Sequence, residues 1–170
     1  MNPMKEIRIE KVTLNVGTGT DQNTLKRAMK LIKSITGTEP VKTKSKKRIP
    51  SWGLRPGLPI GCKLTLRGKK AEEVLINVLK ARDDTLEESC FDNMGNVSFG
   101  VKENIDIPGQ SYDPEVGIMG LQVVVTLERP GYRVKRRKYA RRRLGNNHLI
   151  KKEESIKFFQ DKFKINVVNQ

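Results

Sequence analysis

A chain of 170 residues with 36% hydrophobic content is long enough to bury one core and too apolar for general disorder, so a single domain over residues 1–170 is expected. Its 34 Lys and Arg against 19 Asp and Glu leave a net charge of +15, which calls for a polyanionic partner, nucleic-acid phosphate being the usual one. No run of about 18 apolar residues is present to span a bilayer, Met1–Lys11 lacks the apolar stretch of a secretory signal, and two cysteines with one histidine are too few for a zinc site; no membrane, no metal, no cofactor and a cytoplasmic setting are expected.

In chain order, Ile7 and Ile9 alternate with charged residues, and Val12, Leu14 and Val16 alternate one step out of phase. This predicts a strand with a bulge near Glu10–Lys11. Gly17-Thr18-Gly19-Thr20 reads as a turn, after which Asp21 or Asn23 caps a helix with the stripe Leu25, Ala28, Met29, Ile32 and Ile35, closed by Gly37. A short strand is expected over Pro40–Lys44. Ser45–Pro59 holds four basic residues, three prolines, two glycines and the lone Trp52, a composition that denies ladder and helix hydrogen bonds. A protruding loop over 45–59 follows, and loops of that length in compact domains are usually functional or disordered.

Ile60, Cys62, Leu64 and Leu66 alternate with Gly61, Lys63, Thr65 and Arg67, the clearest strand in the chain. A helix over Lys70–Ala81 presents Ala71, Val74, Leu75, Val78 and Leu79 on one side. Asp83–Gly95 reads as loop or short helix, Val97–Val101 and Glu103–Ile107 as strands, and Leu121–Leu127 as a β-branched strand. A basic C-terminal extension over 129–170 ends in an amphipathic helix from Glu153 to Phe163, with Ile156, Phe159 and Phe163 aligned. One-sided strands with amphipathic helices give an α+β fold, an antiparallel sheet with helices on one face and Lys63, Thr65 and Arg67 on the other. Cys62 and Cys90 are expected to be free and buried.

Charge is segregated: residues 83–128 hold ten acids and one base, Lys102. That fits one phosphate-facing surface and one facing elsewhere, and plain solvation of acidic loops fits equally. Four segments carry the binding chemistry. Asn15-Val16-Gly17-Thr18-Gly19-Thr20 links strand to helix, where glycines admit an anion and the helix offers a partly positive end; an ordinary glycine turn is the plainer alternative. Lys42–Arg48 has five bases in seven residues, and strand alternation puts Lys42, Lys44 and Lys46 in one row, either a phosphate track or a lysine-guarded edge. Ile49-Pro50-Ser51-Trp52-Gly53-Leu54-Arg55 offers an aromatic and a guanidinium for stacking, unless Trp52 packs back onto the body. Residues 129–143 carry nine bases, mostly arginine, spaced around most of a helix, so this segment is expected to order on RNA. Nuclear import or a membrane surface is the competing reading there.

No catalytic residue stands out: His148 has no nearby acid or nucleophile, and no GxSxG occurs. Not an enzyme but a basic module for structured nucleic acid is the reading from the residues. A chromatin-type DNA binder and an RNA-modifying enzyme are the alternatives, told apart by affinity for duplex DNA and by turnover.

Four runs occur in order: Glu10–Gly19 (EKVTLNVGTG), Lys42–Ser45 (KTKS), Pro59–Gly68 (PIGCKLTLRG) and Gly95–Glu103 (GNVSFGVKE). Together they resemble the family of the fifth large-subunit ribosomal protein, which binds 5S rRNA. Tyr112-Asp113-Pro114-Glu115, Arg129-Pro130-Gly131 and the arginine cluster resemble its archaeal and eukaryotic branch. The resemblance implies a structural protein of the large ribosomal subunit that helps attach 5S rRNA to 23S rRNA in the central protuberance. It implies 5S rRNA contacts at Asn15, Val16, Gly17, Thr18, Thr43, Lys44, Lys46 and Lys47, to which the polar sheet face adds Lys63. It implies that the loop Ile49, Pro50, Ser51, Trp52, Gly53, Leu54 and Arg55 approaches P-site tRNA. The tail residues Arg133, Arg136, Arg137, Arg141, Arg142 and Arg143 are expected to grip 23S rRNA, with neighbouring large-subunit proteins as further partners and no homo-oligomer. Bacterial members commonly read Gly-Gln-Lys-Pro where this chain has Gly37-Thr38-Glu39-Pro40, so a glutamine contact does not carry over to Thr38, and Glu39 repels phosphate if it points that way.

Overall fold

Period-two alternation organises the centre of the molecule, a computed structural model that describes residues 2–168. Met1, Asn169 and Gln170, the ends of the expected domain, lie outside the described residues. Strand β1 (Arg8–Gly17) buries Val12, Leu14 and Val16, and its register shifts between Ile9 and Lys11, where the apolar phase changes. Helix α1 (Gln22–Thr36) starts at Asp21, whose carboxylate accepts the Asn23 amide at 2.9 Å and the Thr24 amide at 3.3 Å. It ends at Gly37, which takes the left-handed conformation (φ 67°) that favours glycine there.

Strands β2 (Val41–Lys44) and β3 (Pro59–Leu66) flank the loop, and helix α2 (Lys69–Lys80) buries all five residues of its expected stripe. The short β4 (Thr85–Glu87) precedes β5 (Val97–Val101), β6 (Leu121–Glu128), the one-turn α3 (Arg133–Arg136), α4 (Lys152–Phe163) and β7 (Asn166–Val168). The main sheet runs β2-β3-β1-β6-β5, antiparallel throughout. Its inner side, with Leu14, Leu64, Val123 and Phe99, joins α1 and α2 in one core. Phe159 of α4 is fully buried, with its ring edge-on to Phe91 at 5.8 Å, and its burial alone contributes about 1.5–3 kcal/mol. The expected α+β architecture with helices on one face of an antiparallel sheet therefore stands.

Several local expectations do not. Glu103–Ile107 is not a strand: Asn104 is buried and its Oδ1 accepts the Met119 amide at 3.1 Å, which turns Asn104–Asp106 into a short 3₁₀ segment. Asp83–Gly95 contains β4, which pairs in parallel with β7. Nor is 129–170 an extension throughout. Ile150, Phe159 and Ile165 are core residues, so the stretch without a buried residue is confined to that between Arg129 and Ile150. The arginine stretch forms only the one-turn α3 before it folds back, and the Arg142 amide bonds the Val134 carbonyl at 3.3 Å. Cys62 is buried, which pushes its thiol up to about 11, whereas Cys90 is only half-buried.

Candidate nucleic-acid interface

The sheet leaves one side without helices, and register fixes what stands on it. Asn15 lies opposite both Lys63 of β3 and Gln122 of β6, and Thr13 opposite both Thr65 and Val124. The Asn15 amide donates to Gln122 Oε1 at 3.0 Å, so a band Lys63–Asn15–Gln122 crosses three strands with polar groups facing outward. Motif reasoning misses Gln122, although alternation with Val123 in Leu121–Leu127 already puts it on this side.

At the end of this band β1 runs into the Gly17–Thr20 turn, tied to β3 by the Thr18 amide donating to the Ile60 carbonyl at 3.0 Å. A Cβ placed on Gly17 or Gly19 would meet no atom within 4 Å, so the backbone is open to a close-approaching partner. The helix end behind it is already capped: the Asp21 carboxylate occupies the amides of Asn23 and Thr24, and the Thr24 hydroxyl together with those bonds holds its pKa down. Gly61 is required here, since a Cβ would stand 2.6 Å from the Val16 carbonyl oxygen.

The row Lys42, Lys44 and Lys46 is broken. Lys42 pairs with the buried-side Cys62 while Thr43 pairs with Gly61 on the open side; a register shift then sets Lys44 opposite Pro59, and the strand ends before Lys46. The lysines remain exposed, and none of Lys44, Lys46, Lys47 and Lys63 is ion-paired among the described residues. Glu39 pairs with Lys33 at 2.8 Å, and that ammonium holds its carboxyl below the usual range.

The loop is more ordered than its composition suggests. Its neck is closed by Ser45 donating to the Leu58 carbonyl at 2.8 Å, and Ile49 and Leu54 exchange backbone bonds of 3.0 Å each. A 3₁₀ turn over Pro50–Trp52, finished by Gly53 at φ 66°, presents Trp52 at the tip, 69% exposed. Trp52 does not pack back onto the body.

The arginine segment divides into two kinds of residue. Arg129 is 5% exposed and bonds Glu154 at 2.8 Å and the carbonyls of His148 and Leu149, so it belongs to the fold rather than to the interface. Arg136 pairs with Glu10 and Glu128, and Arg67 reaches Glu10 at 3.3 Å, which joins the open sheet side to the basic segment through one carboxylate. Arg133, Arg141, Arg142 and Arg143 have no ion pair among the described residues. Of the acids in 83–128, Glu88 pairs with Lys152 at 2.7 Å, while Asp113 (3.0 Å) and Glu115 pair with Lys30 of α1.

This surface sets the frame for comparison with known proteins. Residues 2–55 match the family model described as Ribosomal protein L5, and residues 59–158 match the model for the C-terminus of the same ribosomal family. The chain belongs to the ribosomal protein L5 family. It is 49% identical to the large ribosomal subunit protein uL5 of Nanoarchaeum equitans over 168 residues, 98% of this chain and 99% of that protein. The uL5 proteins of Methanococcus maripaludis and Sulfurisphaera tokodaii are 50% and 46% identical, covering 99% of this chain each and 94% and 96% of their own lengths. In this L5-family chain the two matched regions meet in the loop at 56–58, while their strands interleave in one sheet. No described helix is long and apolar enough to cross a membrane.

Proposed function

We propose that the chain is a structural, non-catalytic protein of the large ribosomal subunit whose open sheet side and β2 edge bind 5S rRNA. The observation that carries this reading is the group of exposed, unpaired lysines, Lys44, Lys46, Lys47 and Lys63, on β2, the loop after it and β3, beside the strand end where the Gly17 backbone is open. Such a surface holds RNA by backbone and shape, with amides and hydroxyls at Asn15, Thr43 and Gln122 to fix position. The unpaired arginines of 133–143 grip neighbouring 23S rRNA, and the pinned loop carries Trp52 and Arg55 toward P-site tRNA. Acids in 83–128 that have no internal partner face solvent or a basic neighbouring protein.

The test is binding of labelled 5S rRNA, a size-matched unrelated RNA and a DNA duplex across a salt series. A preference for 5S rRNA that persists as salt rises supports the reading, and equal affinities that collapse together refute it. Replacing Lys44, Lys46 and Lys47 together with alanine should lower the salt slope by about 0.7–0.9 per lost phosphate contact, about 2–3 in all.

A further inference from the structure

Between the basic segment and the body lies a cleft of about 530 Å³. Its two arms are fixed: Tyr132 Oη donates to the His148 carbonyl at 3.2 Å and accepts the Ile150 amide at 3.0 Å, while the Arg142 amide holds the Val134 carbonyl at 3.3 Å. The walls combine two chemistries. Met94, 52% exposed, contributes an apolar lining together with Leu144 and Leu149. Around it stand Lys135, Arg141, Arg142 and Arg143, none ion-paired among the described residues, and Asn146 supplies an amide.

A phosphate track needs the four cations and has no use for the apolar lining. An uncharged hydrophobic ligand needs the lining and gains nothing from four unneutralised charges. A nucleotide turned out of its stack satisfies both, with its base against the Met94 thioether and leucines and its flanking phosphates on the guanidinium groups. The Asn146 amide can then donate to and accept from a base edge. The volume lies within the range of sites that enclose a small ligand. We propose that this cleft receives one unstacked nucleotide of structured RNA, so that the basic segment recognises a bulge rather than a uniform helix. The proposal rests on the reading that residues 133–143 bind RNA.

The experiment uses the full chain with an RNA hairpin bearing a single bulged 2-aminopurine and the same hairpin fully paired. The wild type should bind the bulged hairpin on the order of tenfold more tightly, as expected from covering one base with apolar side chains, with a change in 2-aminopurine fluorescence. Met94→Ser and, independently, Leu144→Ser should abolish that preference and the fluorescence change while leaving affinity for the paired hairpin unaltered. Equal binding of the two hairpins by the wild type, or a preference that survives both substitutions, overturns the cleft proposal. Replacing Arg141, Arg142 and Arg143 with alanine separates the two readings. A lowered salt slope keeps the segment as an RNA grip even when the cleft fails; an unchanged slope and affinity refute the grip and the cleft together.

Discussion

Arg129 lies at the base of the basic segment, and replacing it with methionine tests whether that segment is anchored or loose. Its guanidinium is 5% exposed and makes three bonds, to Glu154 at 2.8 Å and to the carbonyls of His148 at 3.4 Å and Leu149 at 3.3 Å. Removing one partner of a buried pair costs about 3–5 kcal/mol. Glu154 is 41% exposed, so water recovers part of its charge, and the His148 carbonyl keeps Tyr132 as a donor. Only the Leu149 carbonyl loses its side-chain donor outright, which brings the expected loss to about 2–3 kcal/mol. At this chain length that is about 4–12 °C in Tm. Urea unfolding should show a lower midpoint at unchanged m-value, and trypsin should cut faster within 133–143. The double variant Arg129→Met/Glu154→Gln should recover part of the loss, because no unpaired carboxylate remains. A single variant within about 0.5 kcal/mol of the wild type, with unchanged trypsin cleavage, would refute the anchoring argument.

Acid should act through the same pair. Burial pushes the Glu154 carboxyl up, but the Lys151 amide and the Arg129 guanidinium outweigh it and hold the pKa below its ordinary 4.5. A depressed carboxyl gives stability that is present above 4.5 and lost as pH falls through the folded value, so the wild type should lose more urea stability below 4.5 than Arg129→Met does. Gly61→Ala should cost about 1–3 kcal/mol by calorimetry. Thr43 Oγ1 at 3.1 Å can rotate aside but the Val16 carbonyl at 2.6 Å cannot, and the displaced Gly17–Thr18 backbone should weaken 5S rRNA binding as well. Trp52→Ala should leave stability within about 0.5 kcal/mol of the wild type, while tRNA binding measured by filter retention falls.

The main sheet is readable in the sequence because its signal is local. The phase change at Glu10–Lys11 marks the β1 bulge, and the alternation in Pro59–Leu66 names both sides of β3 correctly. The β4–β7 pair is not readable, since each strand has three residues and their partnership joins Thr85 to Asn166. Ile105 and Ile107 imitate a strand, and only the distant Met119 amide on Asn104 reveals the turn. Leu31 falls outside the predicted α1 stripe yet is buried. For the interface, composition locates the basic segments but does not sort their members. Arg129 and Arg133 look alike in sequence; what separates them is Glu154, which arrives from a helix 25 residues further on. The same holds for Arg136, claimed by Glu10 from the far end of the chain.

The strand order β2-β3-β1-β6-β5 sets a timetable for the chain as it is made. β1 precedes both of its neighbours in the chain, β3 on one side and β6, residues 121–128, on the other. Until β6 emerges, β1 has a bare edge with unpaired amides and carbonyls beside a strongly basic loop. The sheet therefore closes through pairings distant in sequence, a topology expected to fold slowly. A fragment ending within the loop holds β1 with neither of its partners. The two matched regions thus share one sheet, and cutting between them is expected to leave neither piece able to fold alone.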